Sequence, residues 1–266
     1  MDEADLGRPR SRRRRNDSEV NWDKEMTLVS YKHNFVYLKT RKTAGTSTEM
    51  FLQAYCVPPG KKVTEYQPHP IVSEYGIAGR RRVSETLKWY QKPRHLWQVR
   101  NGTHNWYPHM AASKVKAGLD PEFWGQSLKI SSVRNPFKRM ISAYYWSLKQ
   151  RNGAQTNRDD VIDGFRRKIL SRKIQNDHAI VFLDGEFVPD VLIRQEHLAD
   201  DLNALVDRLG LDPSLAHLPV TKKTNSSSAD QRPSTAEFYD EETADIVRDR
   251  FSWVFEHANY SLEVPH

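Results

Sequence analysis

Asn34-Phe35-Val36-Tyr37-Leu38-Lys39-Thr40-Arg41-Lys42-Thr43-Ala44-Gly45-Thr46-Ser47 runs from an apolar stretch into a polar turn and the start of a helix. Residues 34–38 are short and apolar enough for a strand buried on both faces, as strands of parallel sheets are. Residues 46–55 show helical character, with Met50, Phe51 and Ala54 expected to face inward. The first turn of a helix offers unpaired backbone N–H groups and a positive dipole end, and both favour an anion. Gly45 would let the backbone approach that anion, because it carries no Cβ. Thr46 and Ser47 add hydroxyl donors, and Lys42 adds a mobile cation. The plainer reading of the same residues is a capping turn rich in hydroxyls beside a solvated lysine.

The order of residues separates this turn from the nucleoside-triphosphate loop. That motif, G-x-x-x-x-G-K-[ST], sets its lysine after the glycine; here Lys42 precedes Gly45 and no upstream glycine is present. Further along, residues 127–133 read as a second buried strand, followed by Arg134-Asn135-Pro136. Asn135 suits the N-cap and Pro136 the first helical position. Phe137, Met140, Ile141, Tyr144, Tyr145 and Leu148 then fall at the spacing of a core-facing helical stripe. Arg134 at a strand end and Ser142 two turns into the helix can reach one phosphate lying above the sheet edge, where open α/β folds bind ligands. An arginine fork pairs with two phosphate oxygens at once.

Elsewhere the pattern predicts a strand at 95–99, a short helix at 111–119 and a helix at about 159–174. Two strands follow at 179–183 and 190–194, about the turn Asp184-Gly185, and then a helix at 196–209 capped by Gly210. A polar loop at 219–234 precedes a last helix at 239–257. Strands alternating with helices predict an α/β fold with a parallel sheet covered on both faces.

Composition bounds the alternatives. Of 266 residues 38% are apolar, and the formal net charge of +7 points to an anionic partner. Residues 1–25 alternate acids with arginines around Arg12-Arg13-Arg14-Arg15 and read as a disordered arm, leaving 26–266 as a single domain. One cysteine, Cys56, excludes an intrachain disulfide and a thiolate-rich metal site, and favours a reducing compartment. No stretch approaches the roughly 20 apolar residues that span a bilayer, and no apolar core follows the basic N-terminal residues, so no signal peptide is expected.

The turn at 41–47 resembles the 5′-phosphosulfate loop of the sulfotransferase family, P-K-T-[AG]-G-T-S, with Arg41 standing where that family often has proline. Residues 134–142 resemble its 3′-phosphate motif, R-[ND]-P-x(4–5)-S, and Phe251, Phe255 and Tyr260 resemble its C-terminal helix and aromatic plug. The resemblance implies a P-loop-like three-layer fold with a central mostly parallel sheet flanked by helices. It implies 3′-phosphoadenosine 5′-phosphosulfate as donor, adenosine 3′,5′-bisphosphate as product, and no metal. Arg41, Lys42, Thr43, Ala44, Gly45, Thr46 and Ser47 would hold the 5′ side and Arg134 and Ser142 the 3′-phosphate. A basic residue before the last helix would join them, Arg232 first and Lys223 next.

Lys42 would stabilise the leaving phosphate oxygen. A histidine is the natural base for an acceptor hydroxyl. His109 is best placed and resembles the base of carbohydrate 2-O-sulfotransferases; His104 is next, and a Glu or Asp stays open. Trp97, Trp106 and Tyr107 offer faces for a sugar ring, or core packing. The basic residues Arg80, Arg81, Arg82, Lys88, Lys92, Arg94 and Arg100 read as a solvated loop that could steer an acidic polysaccharide. The expected partner is a hydroxyl acceptor, a glycan or small glycoside, and the expected compartment cytoplasmic. A kinase or nucleotide hydrolase would need a lysine after the glycine and a magnesium aspartate at a strand end. A nucleic-acid-binding module would leave the Arg134–Ser142 spacing unexplained.

Overall fold

The computed structural model describes residues 27–61, 70–79, 106, 109–150, 157–217 and 232–266. The arm at 1–25, the strand expected at 95–99, the basic residues from Arg80 to Arg100, and Trp97, His104, Tyr107 and Lys223 lie outside them.

The apolar run forms strand β2 (Phe35–Leu38), preceded by β1 (Leu28–Ser30) and followed across the polar turn by helix α1 (Gly45–Leu52). Phe51 turns inward as expected, but its buried companions are Leu52 and Tyr55, while Met50 and Ala54 stay half-buried. A hairpin of β3 (Ile71–Ser73) and β4 (Gly76–Ala78) comes next. Gly76, at φ 155°, packs so tightly on β1 that a Cβ would overlap the Val29 carbonyl.

Two short helices, α2 (Ala112–Ala117) and α3 (Pro121–Gln126), lead into β5 (Leu128–Val133) and the long α4 (Pro136–Gln150). Asn135 caps α4 as its residue type predicts, its side chain accepting from the Lys138 N–H at 3.2 Å. Helix α5 (Arg158–Leu170) starts one residue after its cap, Asn157.

At 179–183 the expected strand is instead a helical turn, α6 (His178–Val181), running into the two-residue β6 (Phe182–Leu183), which pairs with β7 (Glu186–Phe187). The apolar run is too short for periodicity to tell strand from helix, and packing of Ile180 and Val181 into the core decides it. Strand β8 (Val191–Arg194) and helix α7 (Leu198–Leu209) follow, with Gly210 at φ 58° closing α7. A short helix, α8 (Thr235–Phe238), precedes the last helix, which is expected as one piece at 239–257 and is two: α9 (Glu241–Arg250) and α10 (Ser252–Ala258). Asp240 caps α9, and Phe251, at φ −120°, breaks the run into α10.

Among the described residues six strands form the central sheet, in the order β3-β4-β1-β2-β5-β8. β2, β5 and β8 are parallel neighbours, so their carboxyl ends reach one edge, while β1, β3 and β4 extend the sheet by antiparallel pairing. Side chains alternate between faces. Phe35, Tyr37, Ile130 and Ile193 pack under α1 and α7, whereas Val36, Leu38 and Val133 pack under α2, α4, α5 and α8–α10. Three layers result, with helices on both sides of the sheet.

Candidate active site

Residues 39–44 leave the carboxyl end of β2 and fold back before α1. Lys42 (φ 65°) and Ala44 (φ 56°) both adopt the left-handed conformation, which costs a residue bearing a Cβ about 1–2 kcal/mol. Surrounding contacts must hold such a turn. The Thr40 and Thr43 hydroxyls lie 3.0 Å apart, and the Thr40 hydroxyl donates to the Ser132 carbonyl on β5. The Ser131 hydroxyl donates back to the Leu38 carbonyl at 2.6 Å, so the two strand ends are stitched together where the loop begins. Among the described residues no side chain caps α1 at Ala44; the Ala44 carbonyl accepts from the Ser47 and Thr48 N–H groups at 2.9 and 3.3 Å. The N–H groups of Gly45 and Thr46 are therefore the donors that the helix start presents.

Glycine at 45 has a second reason that the sequence did not disclose. A Cβ there would overlap the methylenes of Lys39. That side chain crosses the first turn of α1 to reach Glu49, Nζ to Oε2 at 2.6 Å, with both partners buried. Arg41 is also held: Asp177, its side chain wholly buried, accepts from the Arg41 backbone N–H at 2.7 Å and pairs with its guanidinium.

Arg134 leaves the carboxyl end of β5, next to the β2 loop across the parallel pair. Its Nε is buried without a hydrogen-bond partner among the described residues. Burial lowers the pKa of its guanidinium, while Glu196 and Tyr260 act in the opposite sense. Glu196, just past β8, accepts from the Asn135 N–H at 3.1 Å and from the Tyr260 hydroxyl at 2.6 Å. The three parallel strand ends and the C-terminal tail thus meet beside Arg134.

Helix α4 gathers the remaining candidates. Lys42 Nζ lies 4.6 Å from the ring centre of Trp146, one turn beyond Ser142, and the Arg232 guanidinium lies 5.2 Å from the ring of Tyr145. His109 stands just before α2, at φ 52°, with Nδ1 2.9 Å from the Lys39 carbonyl. A carbonyl only accepts, so Nδ1 carries a proton in this contact, and in the neutral ring the lone pair is then on Nε2. Trp106 is half-buried, its ring against Gly118.

Asp177, Arg139, Trp146, and the Lys39–Glu49 pair escaped sequence reasoning. Arg139 sits inside the very motif that named Arg134, and a buried arginine off the apolar stripe needs a partner, which was the available signal. Asp177 lies in a turn, φ 59°, with no periodicity to mark it.

Among the described residues, no group of three or more His, Cys, Asp or Glu side chains could hold a metal ion, and no helix is long and apolar enough to cross a membrane.

A helix start, an arginine with an orphaned buried donor and a lysine come together at the carboxyl edge of a three-layer α/β sheet. Residues 25–261 match the sulfotransferase family, and the chain belongs to it. No curated protein and no solved structure matches.

Proposed function

We propose that this sulfotransferase moves a sulfuryl group from 3′-phosphoadenosine 5′-phosphosulfate to a hydroxyl of a carbohydrate acceptor by in-line transfer. The observation that carries the reading is the orphaned Nε of Arg134, buried one strand away from the Lys42 loop. A phosphate placed there would supply the acceptor that this donor lacks. The donor, when bound, supplies the sulfuryl group and a phosphate leaving group.

Arg134 and Ser142 bind the 3′-phosphate, and Arg232 joins them from the segment before α8. The Gly45 and Thr46 N–H groups, with the hydroxyls of Thr43, Thr46 and Ser47, orient the 5′ side. Lys42 Nζ moves from the face of Trp146 to meet negative charge developing on the leaving oxygen, a preorganised electrostatic role. His109 takes the acceptor proton at Nε2, its Nδ1–H fixed by the Lys39 carbonyl. A glycan or small glycoside suits a histidine in this setting, and a reducing compartment such as the cytoplasm suits a chain whose one cysteine, Cys56, is buried and unpaired.

Calorimetry with adenosine 3′,5′-bisphosphate tests the nucleotide half. The native chain should bind it, and Lys42→Ala should bind more weakly; undetectable binding by the native chain would sink the reading. His109→Ala should keep nucleotide affinity while losing about 10²–10⁴-fold in transfer of labelled sulfuryl groups to a screened acceptor. Full activity in that variant removes His109 from the role.

A further inference from the structure

We propose that Asp177 and Arg139 are positioning residues that set the conformation of the Lys42 loop by gripping both polar groups of the Arg41 backbone. The Arg41 N–H donates to Asp177 Oδ2 at 2.7 Å, and the Arg41 carbonyl accepts from Arg139 Nε at 2.8 Å. Asp177 Oδ2 also accepts from Arg139 Nη2 at 2.6 Å, which closes the ring, and Asp177 Oδ1 takes the Arg41 guanidinium. Arg139 is in turn fixed by the Gln175 carbonyl at 3.3 Å and by the ring of Phe251, 4.5 Å away.

The next residue is Lys42 in its left-handed conformation. A residue held at both its N–H and its carbonyl fixes the two peptide units around it, so the clamp supports the strained turn and aims the lysine. Proline at 41 would restrain the chain differently, by locking φ while offering no N–H. With arginine there, the restraint comes from the buried ion pair. The side chains of Asp177 and Arg139 are 0% and 6% exposed, and each holds the Arg41 backbone by a hydrogen bond.

The inference rests on the nucleotide reading above, and a double-mutant cycle separates the two. Affinity for adenosine 3′,5′-bisphosphate would be measured by calorimetry in the full chain, for Asp177→Asn with and without Lys42→Ala. Asparagine keeps the volume and one acceptor. Arg139→Lys, which keeps the charge but loses the Nε bond to the Arg41 carbonyl, serves as the second variant. Either change should weaken binding by about tenfold in the native background and by less than about twofold beside Lys42→Ala, since residues acting through one another are not additive. Adding Arg41→Pro to Asp177→Asn should recover at least about half of the lost affinity on a logarithmic scale. An equal penalty in both backgrounds, or no penalty at all, overturns the positioning role. Failure of the native chain to bind the nucleotide overturns the functional reading instead.

Discussion

At the scale of single residues the site is built on charges taken out of water. Lys39 and Glu49 lie 1% and 0% exposed, and a buried pair is worth less than its Coulomb attraction suggests, because both ions lose hydration. Removing one partner is the costly change. Glu49→Leu should destabilise the chain by about 3–5 kcal/mol, whereas Lys39→Met with Glu49→Leu should recover most of that loss. Urea unfolding of the three proteins checks this, and equal stability of the single and double variants would contradict it. Gly45 follows from the same pair. Its sequence reading, close approach to an anion, was one reason for glycine; the crossing lysine chain is another, visible only once α1 and β2 are docked.

At the scale of elements, local chemistry and packing divide the work. Helix α4 was legible in nearly every respect: cap, first-turn proline and the stripe from Phe137 to Leu148, which lies in or against the core as spaced. Because the Asn135 side chain accepts the Lys138 N–H, Asn135→Ala should cost about 1 kcal/mol. The expected observable is a lower urea midpoint with an unchanged slope; an unmoved midpoint would show that the cap carries no weight.

The short elements were the ones misread. Residues 179–183 carry too few positions to separate period 2 from period 3.6, and their helical turn comes from burying Ile180 and Val181 beside α2. The break at Phe251 has a similar origin. Its ring is fully buried under the Arg139 guanidinium, and the chain bends to deliver it there.

At the scale of the whole molecule, several carboxylates are held in their charged form by folded-state hydrogen bonds. Asp201 has its pKa raised by burial, but the side chain and backbone of Arg194 outweigh that and leave it lowered. Asp240 is lowered by the hydroxyl and N–H of Thr243, at the start of α9. A folded pKa below the unfolded one means that the unfolded chain binds more protons in acid. Stability from these groups is therefore complete above the ordinary carboxylate range, about pH 4, and is lost as pH falls through their lowered values. Thermal melts from neutrality into acid should show the midpoint falling, with a shallower fall in Asp201→Asn. An identical slope in that variant would remove Asp201 from the account.

The sequence by itself determined the layered α/β class, the strand–turn–helix at 35–52 and the two segments that resemble the family's phosphate motifs. Those features are local: a strand's length, a helix's cap and an arginine set eight residues before a serine can all be read along the chain. Tertiary structure decided what restrains the loop. Asp177 lies 136 residues from Arg41 and Glu196 lies 61 from Asn135. No spacing rule joins residues so far apart; the parallel alignment of β2, β5 and β8 does, by carrying distant segments to one sheet edge where buried charges must find each other.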